Sequence, residues 1–130
     1  MPKTQTTQPV IAVLDNEPEM RKALRRLLSC CGYHVEEYPG GDEFLAALAL
    51  HLPDCLLLDL HMPDLSGFDL LAALRLRRLP VPVVVITAHD EPGTSERVCA
   101  LGASACLRKP VDRDVLLSAI SEAIAGAKKQ

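Results

Sequence analysis

The chain has no tryptophan and only two tyrosines and two phenylalanines among its 130 residues. A core cannot be organised around aromatic rings here and must be built from Leu, Val, Ile and Ala, within a hydrophobic fraction of 48%. No stretch approaches the length that a membrane-spanning helix needs. Residues 1–8 are polar and rich in Thr and Gln, without the apolar run of a signal peptide. These absences lead us to expect a cytoplasmic protein with no membrane partner. An excess of positive charge is also missing: 14 Lys and Arg stand against 17 Asp and Glu, a formal charge of -3. That balance excludes a nucleic-acid surface spread over the whole domain and leaves room only for a local basic patch. The five cysteines are odd in number and show no C-x-x-C spacing. Mostly set in apolar patterns, they read as reduced core thiols and not as a disulfide or metal framework.

The composition is globular, and 130 residues fit one domain that buries roughly two-thirds of the surface of its unfolded form. We expect a flexible N-terminal segment over 1–9, a domain over 10–127 and a short tail over 128–130. Val10 to Leu14 is a continuous apolar run ending at Asp15, as a strand buried on both faces would. Met20, Ala23, Leu24, Leu27 and Leu28 then recur at helical spacing opposite Arg21, Lys22, Arg25 and Arg26, and Gly32 closes the pattern. A short strand over 34–38 precedes a helix over about 42–50. Cys55 to Leu60 is a second buried strand ending at an aspartate, Asp59. Phe68 to about Arg77 reads as a helix, Val83 to Thr87 as a strand, Ser95 to Leu101 as a helix and Ala105 to Leu107 as a strand. A last helix is striped by Val115, Leu116, Ala119, Ile120, Ala123 and Ile124. Five strands alternating with five helices predict an α/β fold, a doubly wound parallel sheet covered on both faces.

Such a sheet binds ligands outside the carboxyl ends of its strands. Strand one ends at Asp15-Asn16-Glu17, strand three at Asp59 and strand four at Thr87, with Lys109 just beyond strand five. Clustered carboxylates at one edge repel unless a cation sits among them, and hard oxygen ligands open to water suit Mg2+. A lysine opposite adds a compact positive charge. The set makes a place for a phosphoryl group. Asp59 would be the nucleophile, Mg2+ and Lys109 would neutralise the equatorial oxygens, and the Thr87 hydroxyl with a backbone N–H would donate hydrogen bonds. Singly, each residue is ordinary: an aspartate closing a strand is usually a turn or cap residue, and Lys-Pro is a common loop dipeptide. Together they would need a coincidence in every element.

The chain resembles the receiver domain of bacterial two-component response regulators from Val10 to about Ala127. The resemblance rests on LDNEPEMRKAL after strand one, LLLDLHMPDLSGFDLL around strand three, VVVITAH at strand four and GASACLRKP leading out of strand five. It implies the flavodoxin-like strand order 2-1-3-4-5. It implies that Asp59 accepts a phosphoryl group from a sensor histidine kinase or phosphotransfer protein, with Asp15, Asn16, Asp59 and the His61 backbone carbonyl holding Mg2+. Thr87 and the Ala88 N–H would bind the phosphoryl group and Lys109 would pair with it. Phosphorylation would repack the face of helix four, strand five and helix five, which then dimerises or docks an effector domain or protein. Such a domain catalyses only its own phosphorylation and dephosphorylation.

Two positions depart from the family pattern. Asn16 stands where a second aspartate is usual and predicts weaker Mg2+ binding. Cys106 replaces an aromatic residue in strand five, so the usual threonine-to-aromatic coupling is missing. His61 and His89, each two residues beyond a site residue, are candidates for setting the lifetime of the phosphoryl group and its pH dependence. Competing classes fit less well. The letters GGDEF at 40–44 resemble the diguanylate cyclase signature, but Gly40-Gly41 make a turn, Asp42 and Glu43 favour a helix start, and Phe44, Leu45 and Leu48 face a core. Asp59-Leu60-His61 lacks the second acid of dehalogenase-like phosphatases, and Asp-Asn-Glu-Pro has the wrong charge for a flavin phosphate loop. A pseudo-receiver that signals by binding alone remains open because of Asn16. So does the choice between a single-domain regulator or shuttle and a fragment of a longer regulator or hybrid kinase.

Overall fold

The computed structural model describes residues 8–62, 65–88 and 92–128, so the expectations for 1–7 and 129–130 lie outside the described residues. The strands are β1 (Val10–Leu14), β2 (His34–Tyr38), β3 (Cys55–Asp59), β4 (Val83–Thr87) and β5 (Ala105–Arg108). They alternate with α1 (Pro18–Cys30), α2 (Gly41–Ala47), α3 (Gly67–Leu76), α4 (Thr94–Ala100) and α5 (Arg113–Lys128). All neighbouring pairs are parallel and the sheet order is β2-β1-β3-β4-β5.

Alternation along the central strands sorts the core into two clusters. Ala12, Leu14, Leu56, Leu58, Val83 and Val85 face Phe44, Leu48, Leu70, Leu71, Leu74 and Val98, on the side of α2, α3 and α4. Ile11, Val13, Cys55, Leu57, Val84 and Ile86 face Leu24, Leu28, Leu116, Ile120 and Ala123, on the side of α1 and α5. Successive side chains of a strand point to opposite faces, and with helices on both sides every position must be apolar. That is why β3 and β4 are buried along their whole length, whereas the edge strand β5 is only half-buried.

Local chemistry ends the elements, at Gly32 as anticipated. Pro18 opens α1, where a missing N–H costs nothing. Gly32 ends it at a φ of +90°, with the Tyr33 N–H donating to the Leu28 carbonyl at 3.1 Å. Ser66 caps α3 by accepting the Asp69 N–H at 3.2 Å. Several boundaries differ from expectation by one to three residues, and two of these have a visible cause. The α-helix of α2 stops at Ala47, because the amides of Ala49 and Leu50 turn back to the carbonyls three residues earlier, of Ala46 and Ala47. Strand β5 runs on to Arg108, because the Lys109 N–H donates to the Thr87 carbonyl at 2.8 Å. The cysteines are a correction. All five are free thiols, but only Cys55 is buried: Cys106 is half-buried, and Cys30, Cys31 and Cys99 are exposed. The first two close α1 on its solvent side and Cys99 lies beside, not on, the stripe through Val98. Burial pushes the Cys55 thiol up to about 12.

Candidate functional site

Asp15 follows β1 and Asp59 closes β3; with Thr87 they are the buried polar residues among those described. Because β1, β3, β4 and β5 are neighbours in register, the ends of four strands share one edge. Asp59 lies across from Ile86 and Thr87 from Arg108. One oxygen of Asp59, Oδ1, accepts the His61 N–H at 3.1 Å. Oδ1 of Asp15 accepts the Glu17 N–H at 2.9 Å, a local turn that fixes the carboxylate before α1 begins. The two remaining oxygens face a single ammonium: Lys109 Nζ stands 3.5 Å from Asp15 Oδ2 and 3.9 Å from Asp59 Oδ2. The largely exposed Glu17 brings a third carboxylate to 3.7 Å from the same Nζ.

Burial pushes the Asp59 carboxyl above its ordinary range; the charge of Asp15 adds to this, while the His61 N–H, Lys109 and the His61 ring oppose it. Two buried carboxylates around one lysine retain an excess negative charge. Among the described residues no group of three or more His, Cys, Asp and Glu is arranged to hold a metal ion. The donors available to a cation are therefore the two carboxylates, with neutral oxygens to be drawn from residues near them in the chain, the exposed Asn16 and the main chain of His61. That set fits a hard cation that keeps several waters, as Mg2+ does, and not a softer ion seeking thiolate or imidazole.

The structure thus brings together Asp15, Asp59, Thr87 and Lys109, with Asn16, His61 and the exposed Ala88 at the margin. His89 lies outside the described residues. His61 also lines a cavity of about 140 Å³ with Leu60, Phe68, Pro92, Gly93, Thr94 and Arg97, and the Arg97 guanidinium stacks 3.9 Å above the Phe68 ring. Sequence reasoning placed Arg21 on the solvated face of α1. Its Nη1 in fact donates to the Asp15 main-chain oxygen at 2.6 Å, and its side chain is only 16% exposed. The available signal was Glu37, a charge near the end of β2, the strand beside β1.

The family model described as response regulator receiver domain matches residues 11–121. The DNA-binding transcriptional regulator NtrC of Salmonella typhimurium is 33% identical over 121 residues, 93% of this chain and 26% of that protein. The transcriptional regulatory protein FixJ of Bradyrhizobium diazoefficiens is 32% identical over 123 residues, covering 95% of this chain and 60% of FixJ. The crystal structure of full-length FixJ from B. japonicum superposes with a TM-score of 0.86 at 33% identity, over 94% of this chain and 60% of that one. The chain therefore spans between about a quarter and three-fifths of the length of these relatives.

Proposed function

Because the chain belongs to the response regulator receiver domain family, we propose that it receives a phosphoryl group on Asp59 and passes the signal on through a change of binding surface. The observation that carries this is the single Lys109 ammonium facing the carboxylates at the ends of two adjacent strands. An Asp59 oxygen attacks the phosphorus of a phosphohistidine, the O–P bond forms as the P–N bond breaks, and the imidazole leaves. Lys109 already lies beside the attacking carboxylate and follows its charge onto the phosphoryl oxygens. The Thr87 hydroxyl and the Ala88 N–H donate to those oxygens from the end of β4. Asp15, Asn16, Asp59 and the main-chain oxygen of His61 would hold Mg2+, which when bound supplies further positive charge against the phosphoryl group.

Receiver domains are signalling domains, and this one would have no substrate beyond its own aspartate. Its donor would be a sensor histidine kinase or phosphotransfer protein in the cytoplasm. Its readers would be an effector domain or protein, or a second copy through α4, β5 and α5. Cys106 packs half-buried against the cluster on the α2–α4 side where an aromatic residue would otherwise switch. The change at that face would then proceed by other packing, as a shift between pre-existing conformations.

Intact mass and radiolabel uptake with a small phosphodonor, with and without Mg2+, test the proposal on the wild type and Asp59→Ala. A single Mg2+-dependent modification absent from Asp59→Ala is the expected result. No modification of the wild type at any Mg2+ concentration would refute it and leave function to the binding surface alone.

A further inference from the structure

We propose that Arg21 is a positioning residue for the turn Asp15-Asn16-Glu17, set in place by Glu37; this rests on the reading that the turn holds a divalent cation. Besides the hydrogen bond from Lys109, three others fix Asp15. Its N–H donates to the Tyr38 carbonyl at 3.3 Å, its Oδ1 accepts the Glu17 N–H at 2.9 Å, and its main-chain oxygen accepts Arg21 Nη1 at 2.6 Å. The last contact is the least expected, because a cation pushed beside an acidic site would ordinarily seek a carboxylate. Arg21 instead grips the site's backbone and takes its carboxylate partner, Glu37, from the neighbouring strand. Its Nε stands 3.6 Å from Glu37 Oε1, and Glu37 Oε2 accepts Arg25 Nη1 at 2.7 Å. Glu37 lies opposite Val13, one residue before the end of β1. The chain of contacts thus runs from α1 through β2 to the point where Asp15 leaves the sheet.

Such a clasp matters more in this chain than where two aspartates follow β1. Asn16 offers a neutral carbonyl oxygen, so the attraction of the turn for a cation depends on how well its oxygens are held in place. Positioning and charge predict opposite signs. If Arg21 acted only through its charge, removing it would tighten the binding of another cation. If it holds the turn, removing it weakens binding although a repelling charge has gone.

The test is an amide NMR titration of the whole chain with Mg2+ for the wild type, Arg21→Met, Arg21→Lys, Glu37→Gln and the exposed-site control Lys22→Met. Positioning predicts a Kd about tenfold higher for Arg21→Met and a smaller increase for Glu37→Gln. Arg21→Lys, which keeps a donor, should recover most of the loss, and Lys22→Met should leave Kd unchanged. A Kd for Arg21→Met equal to or below that of the wild type overturns the proposal, and so does a failure of Arg21→Lys to recover any binding. Should Arg21→Met not fold, Glu37→Gln decides, since an unchanged Kd there also overturns it. A wild type that binds no Mg2+ overturns this proposal together with the reading beneath it, whereas a wild type that binds while the variants match it overturns this proposal alone.

Discussion

Lys109 Nζ stands 3.9 Å from Asp59 Oδ2, farther than the 3.5 Å that separates it from Asp15 Oδ2. The hydrogen bond of the lysine goes to Asp15, and Asp59 is held by charge at a distance too long for one. Asp59 therefore combines burial with incomplete compensation of its charge.

The ionised Asp59 should weaken the fold in buffer freed of divalent ions. Its carboxyl is raised by burial and by Asp15, so the folded state binds more protons than the unfolded one between the two pKa values. Its contribution to stability is then present below the unfolded value and is lost as pH rises through the folded value. Asp59→Asn should raise Tm at pH 7 by a few degrees, on the order of 1 kcal/mol, and the difference should close toward about pH 4. Thermal denaturation with a chelator present measures this. A lower Tm for the variant at pH 7 would contradict it.

Asn16 is exposed beside the buried carboxylates, so restoring a charge there demands no burial. Asn16→Asp should tighten Mg2+ binding about tenfold, roughly 1.4 kcal/mol. Calorimetric titration of both chains gives the ratio, and an unchanged Kd counts against Asn16 as a contributor to the cation site.

His61 donates its N–H to Asp59 and also lines a cavity of about 140 Å³ with Leu60, Phe68 and Arg97. His61→Ala keeps the N–H and opens that flank to water. The phosphorylated form should hydrolyse severalfold faster, followed as loss of label after removal of the donor. A lifetime equal to that of the wild type would rule out a role for the ring.

Gly67 permits the loop after β3 to close: a Cβ there would lie 2.8 Å from the Leu60 Cα and 2.7 Å from its Cδ2, and the Gly67 N–H donates to the Leu60 carbonyl at 3.0 Å. Main chain cannot give way as a flexible side chain can, so Gly67→Ala should cost about 1–3 kcal/mol. Gly126, on α5, has nothing within 4 Å of its would-be Cβ. Gly126→Ala should add about 0.5–1 kcal/mol. Denaturant unfolding of the two variants should move the midpoints in opposite directions; a shift of both the same way would undo the argument.

The fold was legible because its signals are local. Strands buried on both faces must be apolar without interruption, as in Cys55 to Leu58 and Val83 to Ile86, and the switch to helical spacing at Met20 and again at Val115 separates strand from helix over a few residues. Asp59 and Thr87 were legible for the same reason, since a polar residue that ends such a run sits at the edge of the sheet. The thiols were not. An apolar neighbourhood in sequence does not say which side of a helix faces water, so Cys30, Cys31 and Cys99 were assigned to a core they do not enter.

The amino-acid order by itself determined the succession of elements, the doubly wound class and the polar residues that close its central strands, because periodicity and turn chemistry act between residues close in the chain. Tertiary structure alone decided that Lys109, expected among the carboxylates, gives its hydrogen bond to Asp15 across 94 positions and that Arg21 turns from solvent to grip the Asp15 backbone. It also decided that Asp59 pairs with its lysine only at a distance. These outcomes depend on how far apart strand ends are held and which way long side chains reach, and both are set by the packing of the sheet against two layers of helices.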